Sequence, residues 1–462
     1  MIPPLYLLSK SLRVRGMRVK KGIVFFLLFF GLQSQARISA LFHPYDDTFQ
    51  AIAAELLQAR QSIDIAMYNM DIDPKNPVVA ALASPEVQSR MQAGTLQVRL
   101  LLEGYGSEKK RAYFEGLGVD VRFVEGKTLH HKFAVIDIEG SSPRVISGSA
   151  NWSLFSRDNY SENILFFDEE PEMAKSFYDQ FEFLWKISTE FGKGGSKDLK
   201  GPKQAPDDPG VAVFFNSKNF KVDGGHLVDD TSAEGFTLTR ELVGAIDAAQ
   251  ASIQVASTRI RLRPVYDALL RAAARGVKVQ MVVNMDEYET PSRRDGKKVK
   301  SCTEEFDKLC SIGINYSSLL AQKERQGTPN LELRVKFYSL QLKDYLEKQM
   351  HSKYVLVDGK RLFTGSFNWS YSSEYLHIEN LVAIDGAEYP EVIDSYERDF
   401  ARLFGLGRDE YPKVLRFFEE NFSKDQKVHC RFEPMSLSFG EIDGLINAEQ
   451  GRSVKDLCEE AS

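Results

Sequence analysis

The chain repeats itself, and this repeat constrains the fold more than any other feature of the sequence. The segment LHHKFAVIDIEGSSPRVISGSANWSLFSRDNYSEN, which begins at Leu129, returns as MHSKYVLVDGKRLFTGSFNWSYSSEYLHIEN, which begins at Met350. Each copy contains H-x-K-x4-D, then G-S-x-N-W-S, then E-N. A chain that carries the same long pattern twice is expected to fold as two similar halves. We therefore predict a pseudodimer within one polypeptide.

The two copies keep their polar residues in the same register. In both copies the Asn of the second motif stands 11 residues before the Glu. The first copy has four extra residues, and they fall in EGSSPR, a composition typical of a turn between two strands. An insertion in such a turn leaves the flanking strands unchanged, as expected of a duplicated site.

The spacing of the first motif predicts which side chains share a face. Side chains two residues apart lie on the same face of a strand, so His130 and Lys132 should point the same way. Asp137 falls on the opposite face and is expected to orient or support the motif. The predicted catalytic machinery comprises three residues of each copy: His130, Lys132, Asp137, His351, Lys353 and Asp358.

The second motif adds neutral hydrogen-bonding groups. Ser149 and Asn151 are two residues apart on the following strand, so a hydroxyl and an amide are expected to face one pocket. Together with a lysine ammonium they fit a tetrahedral phosphate, because no carboxylate points inward to repel the anion. The predicted phosphate-binding residues are Ser149, Asn151, Ser366 and Asn368.

Two facing copies would place two histidines at one phosphate. One histidine can attack phosphorus while the other protonates the leaving oxygen, which gives a two-step displacement through a phosphohistidine. Two lysines would do the electrostatic work that a divalent ion does in other sites. We therefore predict neither a metal nor a cofactor.

These motifs resemble the duplicated HKD motifs of the phospholipase D superfamily, from about Phe42 to Phe404. The resemblance implies that His130 and His351 are the nucleophile and acid/base pair, with His130 favoured as the nucleophile. It also implies that Glu162 and Glu379 hydrogen-bond to the histidines and orient them. No motif position departs from the superfamily's pattern, so an inactive descendant is disfavoured.

Periodicity predicts the fold class α/β, with two similar α/β/α halves packed as a pseudodimer around one shared active site. In the first half, helices are predicted at Thr48–Ala59, around Val78–Met91, at Ser107–Gly118 and at Glu170–Ile187, and strands at Ser62–Met70, Leu96–Gly104 and Val119–Val124. Phe177, Phe181 and Trp185 are spaced for the core face of the last helix.

The second half repeats these patterns with one departure. RELVGAIDAAQASIQVAS matches IAAELLQARQSIDIAMY, and FDKLCSIGIN, which begins at Phe306, matches YFEGLGVDV. This alignment leaves about 25 extra residues between Tyr316 and Leu340, before His351. Insertions beside a site commonly form a lid or a specificity loop, and we predict that role here.

The N-terminus has the pattern of a signal peptide. A basic run ends at Lys21, an apolar run of about 11 residues follows, and small residues stand at Ser34 and Ala36. We predict cleavage before Arg37 and export to the periplasm or medium. Because the leader holds six basic and no acidic residues, its loss would make the net charge of −6 more negative. The predicted domains are a signal peptide at 1–36, a first PLD-like domain at 37–190, a linker at 191–210, a second PLD-like domain at 211–405 and a helical appendage at 406–462.

The cysteines agree with export without requiring it. The chain has four, Cys302, Cys310, Cys430 and Cys458, with neither C-x-x-C nor metal-binding spacing. Disulfides 302–310 and 430–458 and free buried thiols are both compatible with the sequence.

Three functions fit the motifs. The favoured one is an exported phospholipase D that hydrolyses phospholipids to phosphatidic acid and a free head group, acting as a monomer with transient membrane-surface contact. A metal-independent endonuclease of the same chemistry is the alternative, and it would need a basic groove for a strand. A non-catalytic phosphate-binding protein is the third. An apolar mouth favours lipid, and its candidates are Met67, Tyr68, Met70, Phe337, Tyr338, Leu340, Leu342, Tyr345 and Leu346.

Overall fold

The computed structural model describes residues 38–103, 108–188, 210–289, 304–337, 349–421 and 434–448, and the backbone of residues 428–429 and 458–459. The predicted signal peptide lies outside the described residues, and so does the predicted linker except for Gly210.

The first half alternates strands and helices from residue 38 to residue 187. Its elements are β1 Ile38–His43, α1 Thr48–Gln58, β2 Ser62–Met67, α2 Pro77–Leu82, α3 Pro85–Gln92, β3 Gln97–Leu102, α4 Glu108–Gly116, β4 Asp120–Phe123, β5 Thr128–Leu129, β6 Lys132–Ile136, β7 Arg144–Gly148, α5 Leu154–Asn159, β8 Glu162–Asp168 and α6 Pro171–Ile187. The helix predicted around Val78–Met91 is two helices, because Ser84 caps a new helix that has Pro85 in its first turn.

The second half follows the same order and then continues into a C-terminal segment. Its elements are β9 Val211–Phe215, a 3₁₀ helix Asn216–Asn219, β10 Phe220–Asp223, β11 His226–Asp229, α7 Thr237–Ala248, β12 Ser252–Ser257, α8 Arg263–Ala274, β13 Lys278–Asn284, α9 Asp286–Glu289, a 3₁₀ helix Lys308–Ser311, α10 Tyr316–Arg325, β14 Leu331–Phe337, β15 Lys353–Val357, β16 Arg361–Gly365, α11 Tyr371–Tyr375, β17 His377–Ile378, β18 Asn380–Asp385, α12 Pro390–Gly405, α13 Tyr411–Asn421, β19 Val428–His429, β20 Met435–Leu437, α14 Phe439–Ala448 and β21 Cys458–Glu459.

Each half contains one large mixed sheet, and the two sheets have matching strand orders. The first is β1-β8-β7-β6-β2-β3-β4, and the second, read from β9, is β9-β18-β16-β15-β12-β13-β14-β20. In both sheets the strands on one side of the motif strand are parallel, as β2 is to β3 and β12 to β13. The predicted α/β pseudodimer is confirmed, since each motif strand, β6 or β15, holds the same place in its sheet.

The two halves share a hydrophobic core between their sheets. One cluster of buried side chains draws from both halves, including Phe133 and Phe177 from the first and Phe215, Tyr354 and Phe400 from the second. The rings of Phe177 and Phe215 meet edge to face with centroids 5.6 Å apart. Apolar side chains on both faces of each sheet fix the pairing of the halves, because separating them would expose this cluster to water. Phe177, Phe181 and Trp185 lie in this core, as predicted.

The predicted lid between Tyr316 and Leu340 is wrong. Its described residues, 316–337, contain helix α10 and strand β14, and β14 lies inside the second sheet between β13 and β20. β14 is therefore the counterpart of β4, and LELRVKF rather than FDKLCSIGIN corresponds to the strand after α4. The alignment failed because both segments offer a short apolar alternation. The stretch without a counterpart precedes α10, and it includes the 3₁₀ helix Lys308–Ser311.

The C-terminal segment packs on the second half, and it adds a strand as well as helices. β20 pairs antiparallel with β14, with Val335 opposite Leu437. Val414, Phe418, Phe439, Ile442 and Leu445 join the core of the second half. Among the described residues, none of the helices is both long and apolar enough to span a bilayer.

Candidate active site

The two motif histidines are held by backbone pairing between the halves. His130 donates its backbone N–H to the carbonyl of Ile378, next to the pairing of β5 with β17. His351 donates its backbone N–H to the carbonyl of Ser161. Each histidine is thereby fixed beside the E-N segment of the other half. This exchange brings the two copies of the motif together at one site.

Each histidine is paired with the glutamate of the opposite copy. Nδ1 of His351 lies 2.7 Å from Oε1 of Glu162, and Nδ1 of His130 lies 2.8 Å from Oε1 of Glu379. Both carboxylates are inaccessible to solvent. A carboxylate that accepts from Nδ1 fixes the tautomer that leaves the Nε2 lone pair free. The predicted orienting role of the glutamates is consistent with these contacts, but the crossing between copies was not foreseen.

Burial keeps both imidazoles neutral. Burial lowers the pKa of His130 to about 3, although the Glu379 carboxylate opposes the change. The same balance of burial and the Glu162 carboxylate lowers the pKa of His351 to about 4. The pKa of Glu379 is held well below its ordinary value by His130 and Lys132 despite the cost of burial. A neutral imidazole against an ionised carboxylate is the state from which nitrogen can attack phosphorus.

The two lysines of the motifs lie in the same buried site. Lys132 Nζ donates to the backbone carbonyl of His130 at 2.8 Å and lies 3.3 Å from its Nε2. Lys353 Nζ donates likewise to the carbonyl of His351. Burial lowers the pKa of Lys132 to about 8 and that of Lys353 to about 7. An anion bound between them would restore the charged form of both, because opposite charge favours protonation of an amine.

The asparagines and the serines differ in their availability. Oδ1 of Asn151 and Oδ1 of Asn368 are buried and have no hydrogen-bond partner among the described residues. The serine hydroxyls are used within the fold, since Ser149 Oγ accepts from the backbone N–H of Asn163, and Ser366 Oγ from that of Asn380. Ser149 also hydrogen-bonds to Glu162. Asn368 lines the cavity that contains both histidines, while the serines brace the E-N strands.

The two aspartates of the motifs are not part of the cluster. Asp137 follows the far end of β6, where its carboxylate accepts from the backbone N–H groups of Arg60, Gln61 and Ser62 at 2.7–3.2 Å. Asp358 makes the same contacts with Gln250, Ala251 and Ser252. Each aspartate thus connects the end of its motif strand to the backbone at the start of the neighbouring strand, β2 or β12. Their inclusion among the catalytic residues is not supported by this placement, whereas the orienting or structural role inferred from strand geometry agrees with it.

The glycine of G-S-x-N-W-S is required by close backbone packing. A Cβ added to Gly148 would lie 2.2 Å from the carbonyl oxygen of Asn163, and one added to Gly365 would lie 2.6 Å from that of Asn380. Any larger residue would therefore push away the strand that carries the glutamate. The last serine of the motif caps a helix, since Ser153 Oγ accepts from Ser156 N and Ser370 Oγ from Ser373 N.

Aromatic rings cover both histidines, and the sequence analysis missed most of them. Tyr160 packs on His351 with ring centroids 5.1 Å apart, and His377 packs on His130 at 5.3 Å. Tyr160 and His377 each stand two positions before the glutamate of their copy. Side chains two apart on a strand share a face, and this spacing could have predicted that both rings lie at the site. Tyr68 also contacts His130, at 4.6 Å. The second imidazole of H-H-K, His131, is fully buried and lies within hydrogen-bond distance of the side chains of Asn380 and Gln180.

These side chains open into a cavity of about 480 Å³. It is lined by Tyr68, His130, Arg259, Arg261, Ser311, Ile312, Gly313, His351, Asn368, Ser370, Tyr371, Ser372, Ser373 and His377. Of the predicted mouth residues, Tyr68 is there, Met67 and Met70 are in the core, Phe337 is buried, and the five from Tyr338 to Leu346 lie outside the described residues.

Three groups in the site could in principle hold a metal ion. Candidate ligand atoms of His130, His377 and Glu379 lie within 4.8 Å of one another. The chemistry around them does not favour a cation, because Lys132 Nζ is 3.3 Å from His130 Nε2. Nδ1 of His130 is also already engaged with Glu379 at hydrogen-bond distance. The cluster therefore fits an imidazole–carboxylate pair better than a metal centre.

Two buried histidines, each paired with a glutamate and each with a lysine beside it, are contributed by the two α/β halves and line one cavity. The chain belongs to the family described as "Cardiolipin synthase, PLD-like domain", whose model matches residues 52–185 and 242–404, more than half of the chain. The resemblance to the phospholipase D superfamily is thereby confirmed.

Curated relatives match a smaller part of the chain. A mitochondrial cardiolipin hydrolase of Danio rerio is 26% identical over 146 residues, which are 32% of this chain and 60% of that protein. A protein of the same name from Xenopus tropicalis is 27% identical over 142 residues, which are 30% of this chain and 62% of that protein. The chain thus spans about 60% of the length of these relatives.

A solved structure supports the fold over most of the chain. The phosphatidylserine synthase of Haemophilus influenzae aligns with a TM-score of 0.53 and 13% identity, covering 79% of this chain and 86% of that one. At this identity the match concerns the fold alone.

The single cysteine whose environment is described is oxidised. Cys310 is disulfide-bonded, so the free-thiol alternative does not apply to it. The predicted pairings 302–310 and 430–458 involve side chains outside the described residues.

Proposed function

We propose that this protein is a phosphodiesterase that hydrolyses phospholipids to phosphatidic acid and a free head group. The negative charge of the bound phosphodiester favours protonation of His351. His130 Nε2 then attacks phosphorus, and the bond from phosphorus to the head-group oxygen breaks as the His351 imidazolium gives its Nε2 proton to that oxygen. Water then attacks the phosphohistidine, His351 takes its proton, and phosphatidic acid leaves with the second oxygen. Support comes from the neutral imidazoles, their crossed glutamates and the family of the chain.

Lysine and asparagine side chains supply the charge stabilisation that this chemistry needs. Lys132 and Lys353 lie beside the two histidines, and Asn368 lines the same cavity, where its amide N–H groups can donate to phosphate oxygens. Groups held in place before the substrate arrives stabilise the developing negative charge without reorganisation. A binding protein without turnover has no use for two orienting carboxylates, which argues against the non-catalytic alternative.

One observation carries the choice of lipid over nucleic acid: large apolar side chains are exposed around the mouth of the cavity. Tyr68 and Ile312 line the cavity and are each 37% exposed. Leu309 belongs to the 3₁₀ helix that ends at the lining residue Ser311, and it is 69% exposed. Leu376 precedes His377 and is 44% exposed. Exposed apolar side chains clustered at a site favour contact with a lipid surface.

The exposed apolar side chains at the mouth of the cavity form a rim, and a further apolar residue extends this rim on the His351 side. Phe155 is 44% exposed, and its ring lies 5.5 Å from that of Tyr160, which covers His351. The names of the curated relatives, cardiolipin hydrolases, point to the same substrate class. The rim together with these names supports a phospholipid substrate and transient docking on a membrane surface.

The proposal extends to export and to action as a monomer. The leader pattern ending at Ala36 and the disulfide at Cys310 support an oxidising compartment outside the cytoplasm. Both half-sites come from one chain, which supports activity without a partner. Sequencing of the protein recovered from cells should find an N-terminus at or near Arg37, and specific activity should stay constant on dilution.

The substrate class is tested by comparing phospholipid vesicles with single- and double-stranded nucleic acid, with product analysis by mass spectrometry. We expect phosphatidic acid from the vesicles, and none from H130A. The variant L309S/I312S should lose turnover of vesicles while it keeps its rate on a soluble phosphodiester. Cleavage of nucleic acid without cleavage of lipid would establish the endonuclease alternative. A product in which an added alcohol replaces the head group would identify a transferase.

A further inference from the structure

The active-site cavity is not symmetric, although the fold is. Met67 pairs with Lys132 in the first sheet, and Ser257 pairs with Lys353 in the second, so β2 and β12 enter the site in the same register. Two residues beyond these positions the first half has Asn69 and the second half has Arg259. Asn69 Oδ1 accepts from Lys110 at 2.8 Å, within its own half. Arg259 lines the cavity.

Among the residues that the structure describes, no carboxylate forms an ion pair with Arg259, in contrast to its neighbours Arg261 and Arg263. Arg261, which also lines the cavity, donates from Nε to both carboxylate oxygens of Glu287 at 3.0 and 3.1 Å. Arg263 is paired with Asp267 at 2.5 Å. Nε of Arg259, by contrast, is buried without a hydrogen-bond partner among the described residues. A buried charged donor left unpaired costs stability, so a ligand anion at this position would be bound favourably.

This arginine is close enough to the chemistry to act on a substrate. Its positive charge is one of the influences that lower the pKa of Lys353, after burial and the charge of Lys132. The scissile phosphate is already provided with one lysine and one asparagine from each copy. The counterpart of Arg259 in the first half is neutral. The positive charge of Arg259 would therefore bind a substrate group that lies on only one side of the scissile phosphate.

The direction of the displacement determines which part of the lipid lies on the Arg259 side of the scissile phosphate. If His130 attacks, the leaving group departs from the opposite face of phosphorus, toward His351. Arg259 and Lys353 belong to the same half as His351 and enter the site on paired strands, β12 and β15. The head group, rather than the diacylglycerol portion, therefore lies toward Arg259.

We propose that Arg259 binds a second anionic group in the head group, so that the preferred substrates are phospholipids whose head group carries its own phosphate or carboxylate. The inference rests on the proposed function and narrows it. A planar guanidinium binds either anion through paired hydrogen bonds. Head groups without an anion, such as glycerol or ethanolamine, leave the arginine unpaired and are cleaved with lower kcat/KM.

The test compares head groups of equal acyl chains in mixed micelles of a neutral detergent, which removes the effect of surface charge. Cardiolipin and phosphatidylserine carry a second anion, and phosphatidylglycerol and phosphatidylethanolamine do not. In R259Q, kcat/KM should fall about tenfold or more for the first pair and less than about threefold for the second. R259K should recover part of the loss. R398Q, which removes the same charge from an exposed arginine bonded to Ser395, should change neither.

The outcomes separate this inference from the proposed function. An equal loss on all four lipids in R259Q would mean that Arg259 binds the scissile phosphate, and it overturns the inference. Unchanged kinetics overturn it as well. Wild-type protein that cleaves none of the lipids overturns the proposed function and the head-group assignment together.

Discussion

Glu162 accepts a hydrogen bond from His351 at 2.7 Å, across 189 positions of the chain and from one half of the fold to the other. Nδ1 of His130 lies 2.8 Å from Oε1 of Glu379 in the same crossed arrangement. Neither histidine is paired with the glutamate of its own copy. The proposed catalytic unit is therefore a histidine from one copy with a glutamate from the other.

Replacing each glutamate with glutamine should impair a different step. An amide cannot stabilise the imidazolium as a carboxylate does, so each variant should lose about 10- to 100-fold in kcat on lipid. E162Q weakens the acid, and a diester with a p-nitrophenol leaving group should largely restore its rate. E379Q weakens the nucleophile, and the same substrate should not rescue it. Equal behaviour of the two variants on both substrates would contradict the assignment of roles.

The covalent intermediate should form on His130. With an activated leaving group that needs no protonation, H351A is expected to accumulate a phosphoryl adduct on His130, because the adduct forms but water is not activated to remove it. H130A should form no adduct, and both variants should lose steady-state turnover by several powers of ten. Peptide mass spectrometry identifies the modified residue. An adduct on His351 in the unmodified protein would exchange the two roles.

Activity should survive chelation, and His377 should be replaceable. If His377 serves to cover His130 as Tyr160 covers His351, then H377Y should keep kcat within about threefold, since it gives one half the residue found in the other. Turnover in EDTA is the parallel measurement. Loss of activity in EDTA that zinc restores, together with an inactive H377Y, would show that His130, His377 and Glu379 hold a metal after all.

The motif aspartates should affect stability rather than the chemical step. D137N removes a carboxylate that accepts from three backbone N–H groups, and we expect a loss of about 1 to 3 kcal/mol in the free energy of unfolding. D358N should behave alike, and the kcat of the folded fraction should stay within a few-fold of wild type. Urea denaturation and active-site titration separate the two effects. A stable D137N protein with a thousandfold lower kcat would place Asp137 in the mechanism.

Acid should destabilise the fold through its buried histidines. Burial lowers the pKa of His131 to about 3, so the unfolded chain binds a proton below about pH 6.5 that the folded chain does not bind. The free energy of unfolding should then fall by about 1.4 kcal/mol per pH unit as the pH drops from about 6.5 toward 4, for this residue alone.

The control for this pH effect is a histidine on the surface. Urea denaturation at pH 8 and pH 5 should show a smaller difference for H131Q than for wild type. H226Q, which alters a side chain that is 51% exposed, should show the wild-type difference. An unchanged pH dependence in H131Q would mean that other groups dominate the acid transition.

Sequence reasoning predicted which side chains of one copy lie together better than it predicted the groups that hold them in place. His130 and Lys132 were predicted to lie together, and they do, because spacing along a strand is a local property. The crossing of Glu162 to His351 was not predicted, since a motif says nothing about which copy its partner comes from. Ser149 was assigned to the phosphate because its hydroxyl shares a face with the Asn151 amide, but the backbone of Asn163 uses that hydroxyl first.

The elements of the fold were predicted correctly where the apolar periodicity ran over many residues. The prediction failed where the periodic segment was short. The helix at Pro171–Ile187 matched closely, while FDKLCSIGIN and LELRVKF could not be told apart as counterparts of β4. Only pairing within the sheet decides between two short alternations. The sequence did not single out Arg259 either, because only the three-dimensional structure shows that its Nε is buried without a partner among the described residues.

The crossed pairs also limit how such a gene can change. A duplication usually frees one copy to drift while the other keeps the original task. Here a stop codon or frameshift before Glu379 would remove the carboxylate paired with His130 as well as part of the second copy. A substitution at Glu162 would likewise remove the hydrogen-bond partner of His351. Natural selection therefore acts on the two repeats as a single heritable trait, and neither can acquire a new activity by itself.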